Sequence, residues 1–127
     1  MAGFNGLEGV LCFGKVEFSL INGLGTVGRG VMEQFVFVRL HARQGQEQAV
    51  EEALREVRGP SKEEEGCLSF HLFRSMRDGR LFYIHSRWVD AAAFQKHADC
   101  EHTERFLKKV DPLLEQPREV SRTQMIA

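Results

Sequence analysis

Cysteine is scarce in this chain, and the three present, Cys12, Cys67 and Cys100, lie far apart with no Cys-x-x-Cys spacing. That excludes a secreted disulfide framework and offers no zinc cluster, so a reduced, cytoplasmic protein is the expectation. Long hydrophobic runs are absent too: nothing reaches the roughly 18 residues that a membrane helix needs. The N-terminus has no basic start, and Glu8 interrupts its apolar stretch, against a cleavable signal. Charge of one sign is missing as well. The formal net charge is −1 with both signs interspersed, and nucleic acid wants a concentrated basic face. What remains is globular: 43% hydrophobic and 28% charged residues exclude global disorder. At 127 residues the chain is one domain, small enough to gain from pairing with a copy of itself.

Composition divides the chain near residue 31. Eight of its twelve glycines fall in the first 30 residues, where charge is sparse and helical periodicity lacking. Residues 1–31 are an extension open to three readings: an appended hairpin built on Val10 to Ile21, an unstructured arm, or sequence upstream of a natural start at Met32. Residues 32–127 alternate strand and helix signals. Phe35 to Leu40 is aromatic and β-branched, a strand. After Gly45, apolar residues at Ala49, Val50, Ala53, Leu54 and Val57 mark an amphipathic helix that Gly59-Pro60 should stop.

Cys67 to Met76 and Leu81 to Trp88 read as two strands about Arg77-Asp78-Gly79, a type I turn closed by a left-handed glycine. That register sets Phe70 opposite Ser86, Leu72 opposite Ile84, Leu68 opposite Trp88, Phe73 opposite Tyr83 and His71 opposite His85. Two opposed imidazoles on one sheet face should repel when both are charged, weakening dimer or fold below about pH 6.5. Asp90 can cap a short helix to Ala98, and Thr103 a second carrying Phe106, Leu107 and Val110. Glu119 to Ile126 reads as the last strand. The order βαββαβ predicts an α+β, ferredoxin-like fold with its second helix broken in two. The face away from the helices carries Phe35, Phe37, Phe73 and Tyr83, too much aromatic surface for water, so a homodimer is expected.

A set of motifs then becomes specific. Glu65-Gly66-Cys67-Leu68-Ser69-Phe70, the strand ending in Trp88, Ala93-Phe94-Gln95-Lys96-His97, and His102 four residues before Phe106 resemble the antibiotic biosynthesis monooxygenase family. The resemblance covers Phe35 to Ile126. It implies a dimeric α+β barrel that binds a small aromatic or quinone-like ligand between helices and sheet. It also implies oxidation of phenols or quinols by O2 with no cofactor. His97, at a helix end, is the candidate base, since a neutral imidazole can accept a phenolic proton. Trp88, Phe70, Leu72, Ile84, Ser86, Val38 and Phe106 are the candidate substrate-binding walls. Ser86 stands where the family usually has Glu, so a carboxylate that could orient the histidine is missing. Val38 stands where haem-degrading relatives carry Asn, which disfavours haem cleavage.

Other readings weigh less. His97 and His102 are five apart, off a common helical face, and no acidic residue recurs at ligand spacing, so no metal site is expected. His102 and Cys100 read as structural, and Cys67 as a buried small residue rather than a nucleophile. Gly23-Leu24-Gly25-x-x-Gly28 imitates a dinucleotide motif without its strand and helix. Two further functions share the scaffold: a non-catalytic dimeric binding module, and an isomerase of a small oxygenated metabolite. A second titratable group within reach of His97 would favour an enzyme.

Overall fold

The computed structural model describes residues 32–127, and the expectations for residues 1–31 lie outside the described residues. Four strands form one antiparallel sheet: β1 (Gln34–His41), β2 (Cys67–Arg74), β3 (Leu81–Trp88) and β4 (Glu119–Thr123), in the spatial order β2-β3-β1-β4. Helix α1 (Glu47–Lys62) follows β1, while α2 (Ala91–Asp99) and α3 (Glu101–Val110) separate β3 from β4. This is the ferredoxin-like α+β arrangement, broken second helix included. No helix among the described residues is long and apolar enough to cross a membrane.

Alternation along the strands sorts the two faces. Val36 and Leu40 of β1, Phe70 of β2, and Phe82, Ile84 and Trp88 of β3 are buried against Val50, Leu54 and Val57 of α1 and Phe106 and Val110 of α3. On the other face Phe37, Phe73 and Tyr83 remain 48%, 51% and 36% exposed, and Phe35 is half-buried.

The hairpin register is as the apolar pattern requires, with Phe70 opposite Ser86, Leu72 opposite Ile84 and His71 opposite His85. Two details differ. A bulge at the start of β2 pairs Cys67, not Leu68, with Trp88, and Leu68 is left exposed. Nor does Gly79 adopt left-handed backbone; among the described residues positive φ occurs at Gly45, at 85°. Ser75 does the turn's work instead. Its Oγ accepts hydrogen bonds from the backbone N–H groups of Arg77 and Asp78, and the Asp78 carboxylate accepts from Arg80 N–H. Side-chain oxygens thus replace the glycine conformation while the register survives.

Helix boundaries hold two further corrections. Gly59-Pro60 does not stop α1, which runs on to Lys62. Gly59 lacks the Cβ that would clash with the following proline ring in helical geometry. The extra turn sinks Ser61 completely, and closes with Glu63 and Glu64 N–H groups bonded to the carbonyls of Pro60 and Ser61. Thr103 caps nothing: α3 begins at Glu101, and Thr103 is buried inside it. Asp90 does cap α2, accepting from Ala93 N–H at 2.8 Å.

The opposed histidines lie on the open face of the sheet, with His71 on β2 facing His85 on β3. Burial, then the neighbouring His71 and Arg87, hold the His85 imidazole below its ordinary pKa of 6.5. Phe37, at 4.6 Å between ring centroids, and Phe35 flank it on β1. A histidine with a depressed folded pKa contributes stability that is complete above 6.5 and lost as pH falls towards the folded value. Chemical unfolding followed from pH 7.5 to 5 should show that decline, and His85→Gln should flatten it. An identical pH profile for the variant would remove His85 as the cause.

Candidate active site

Gly66 sets where the second helix can lie. A Cβ built on it would stand 2.3 Å from the Ala93 Cβ, closer than side chains tolerate, so the bare glycine lets α2 dock on the loop after α1. The Gly66 carbonyl also accepts the Val89 N–H at 2.9 Å. The docked helix delivers His97 above the sheet, where its ring lies 4.5 Å from the Trp88 ring and 6.0 Å from that of Phe70.

Glu64, on the same loop, meets this histidine from below. Its Oε2 lies 2.8 Å from His97 Nδ1 and 2.6 Å from His102 Nε2. All three side chains are largely buried, at 8%, 12% and 10% exposure for Glu64, His97 and His102. Burial pushes the Glu64 carboxyl up, but hydrogen bonds from His102 and His97 outweigh it and hold the group below the ordinary carboxylate range. An ionised carboxylate only accepts, so each facing nitrogen must carry the proton. The hydrogen bonds therefore assign the tautomers: Nδ1–H on His97 and Nε2–H on His102. In the neutral ring, His97 Nε2 is left with a free lone pair.

His97 also lines a cavity of about 230 Å³ between helices and sheet. Val38, Phe70, Ile84, Ser86 and Phe106 share its wall, as expected from the sequence. Trp88 and Leu72 are not on that wall. Trp88 is wholly buried behind His97 and donates its indole N–H to Ser86 Oγ at 2.9 Å. Leu72 faces a separate cleft near the edge strand, with Arg55, Arg58 and Arg74. Among the wall residues that escaped the sequence reading are Thr103, Arg118 and Val120. The Thr103 hydroxyl stands 3.3 Å from His97 Nδ1, and Arg118 is held by Asp111 at 2.5 and 2.6 Å.

The sequence argument against a shared ligand set weighed the two histidines as if on one helical face, although a break between them was itself expected. Cys100 separates two helices, and the break turns both imidazoles onto one carboxylate. The sequence reading found no carboxylate to orient His97, and the structure places Glu64, two residues before Gly66, against it. Its nearness was hidden because α1 was expected to end at Gly59. Cys67 does read as inert: burial, with the Glu64 charge nearby, pushes its thiol up to about 11.

Comparison with known proteins identifies the family and the fold. Residues 34–109 match the family model described as antibiotic biosynthesis monooxygenase. YcnE of Bacillus subtilis (strain 168), provisionally named a monooxygenase, is 32% identical over 65 residues, spanning 51% of this chain and 68% of that protein. The crystal structure of PA3566 from Pseudomonas aeruginosa superposes with a TM-score of 0.72 at 29% identity, covering 78% of this chain and 99% of the other. Rv0793 from Mycobacterium tuberculosis shares the fold, with a TM-score of 0.72 at 23% identity over 75% and 96% of the two chains.

If Trp88 supports His97 from behind, its loss is felt first as stability. Trp88→Ala should cost about 3–5 kcal/mol in denaturant unfolding, the range for deleting a buried large aromatic. Trp88→Phe keeps a ring beneath the imidazole but leaves Ser86 Oγ without its donor, and should cost roughly 1–3 kcal/mol.

Proposed function

Because the chain belongs to the antibiotic biosynthesis monooxygenase family, we propose that it oxidises a small phenolic or quinol substrate with O2 and needs no cofactor to do so. The observation that carries this reading is the Glu64–His97 hydrogen bond at the wall of an apolar cavity. The carboxylate holds the ring in the tautomer whose free Nε2 can take a phenolic proton, and stabilises the imidazolium that results. Deprotonation makes the ring electron-rich enough to pass an electron to O2. Recombination at the ring C–H carbon ortho to the oxyanion then gives a hydroperoxide, which loses water to leave a carbonyl there, so that a hydroquinone becomes a hydroxyquinone. One oxygen atom enters the product, the other leaves as water, and the substrate supplies all four electrons.

Cavity size narrows the substrate. A cavity of roughly 150 Å³ holds benzene, so about 230 Å³ suits one substituted ring better than a fused polycycle. Arg118 at the wall offers a cation to a substrate oxygen. Non-catalytic binding is the second reading, favoured by the predominance of apolar side chains on that wall. An oxygen electrode separates the two. With single-ring hydroquinones the oxygenase reading expects O2 uptake, whereas a binding module would shift the melting temperature and consume none. His97→Ala should lower turnover at least tenfold, the scale of one general base, and Glu64→Gln should also lower it by displacing the tautomer. Unchanged turnover in His97→Ala would exclude it as the base.

The exposed aromatic face supports a homodimer, in which a second copy covers Phe37, Phe73 and Tyr83. Burying each large side chain contributes about 1.5–3 kcal/mol. Light scattering at micromolar concentration should give twice the chain mass, and Phe37→Asp should halve it; a wild-type monomer would refute this arrangement.

A further inference from the structure

The Glu64, His97 and His102 side chains form a donor set that proton transfer uses only in part. His97 Nδ1, His102 Nε2 and Glu64 Oε2 all lie within 4.8 Å of one another. They come from three separate places: the loop after α1, the end of α2, and the first turn of α3. Among the described residues, the ion-pair partners of Glu64 are these two imidazoles.

We propose that this cluster is a mononuclear site for a divalent first-row cation such as Zn2+, bound by two histidines and one glutamate. Two imidazole nitrogens with one carboxylate oxygen is a ligand set that such ions accept, with bonds of about 2.0–2.2 Å. Ligand atoms around such an ion stand roughly 3–3.5 Å apart. The present contacts of 2.8 and 2.6 Å to Glu64 Oε2 are shorter than that spacing, so the side chains would have to move apart from the carboxylate oxygen to admit the ion. Three protein ligands leave a coordination position for water or a ligand oxygen. Because His97 and Thr103 both line the cavity, the ion sits beside it.

The site goes beyond the oxygenase reading and does not rest on it. The two are opposed at a single ring. A metal takes the lone pair of His97 Nδ1, so the ring proton moves to Nε2, the atom that must otherwise be free to accept a substrate proton. The metal-loaded protein therefore has no base at His97, and Zn2+ acts as an inhibitor of any metal-free turnover.

Calorimetric titration of chelator-treated full-length protein with Zn2+ tests the site without reference to activity. One equivalent should bind per chain with micromolar or tighter affinity, and Co2+ in its place should give visible absorption bands of a protein-ligated ion. Glu64→Gln and His102→Gln should each weaken binding at least tenfold, as loss of a ligand exceeds the roughly 10–100-fold effect of losing a ligand's outer partner. His85→Gln, which removes the opposed pair on the open sheet face, should leave it unchanged. Failure of the wild type to bind Zn2+ at micromolar concentration overturns the proposal, whatever the variants do. Undiminished binding by folded His102→Gln overturns it equally.

Discussion

A buried carboxylate must be answered by donors, and in this chain Glu64 is answered by two imidazoles from consecutive helices. Much of the local architecture follows from that requirement. Helix α1 has to run past Gly59-Pro60 to bring Glu64 beneath the helices. Gly66 has to lack a side chain so that Ala93 can approach and α2 can seat His97 over the acid. The second helix has to break at Cys100, since residues five apart on one straight helix point in different directions. With the break, the His97 and His102 rings lie 6.2 Å apart and converge on one oxygen.

Packing supplies the rigidity that such a cluster needs. The His97 ring touches three aromatic rings, those of Trp88, Phe94 and Phe70. It is therefore pinned on its face as well as at Nδ1, and little freedom is left to lose when a ligand enters. Trp88 matters here through a chain of contacts: its indole N–H occupies Ser86 Oγ, and its ring backs the imidazole. Ser86 is consequently committed to holding Trp88. Ser86 supports the histidine through Trp88, while the carboxylate that contacts the ring is Glu64 from the loop after α1.

Legibility in the sequence was uneven for physical reasons. The sheet was readable because a period-two pattern on β2 and β3 admits one register, and a slip of one residue would expose Phe70 and Ile84. The cavity walls on the strands, Val38, Phe70, Ile84 and Ser86, followed from the same alternation. Leu72 shares their face but lies nearer the turn, under α1 rather than α2, so alternation alone could not exclude it. Trp88 was misplaced because a large ring can be wall or core, and only the completed packing decides. Glu64 was invisible for a different reason. Its role depends on a helix ending two residues beyond a Gly-Pro pair, where local propensity argues for an earlier stop.

The same cluster also limits what chemistry the cavity can perform. Hydrogen bonds from two donors outweigh burial and hold the Glu64 carboxyl below the ordinary carboxylate range, and one of those donors is the ring proposed to act on a substrate. When His97 takes a second proton, the new positive charge forms 2.8 Å from an existing negative one, so the protonated state is stabilised where it arises. His102 shares that acid and competes for its charge. Removing the His102 donor should therefore leave the carboxylate to His97 alone, while allowing the acid to reorient. The second histidine thus both steadies the acid and shares it, so the placement of the His97 ring depends on His102 through a carboxylate that neither histidine holds alone.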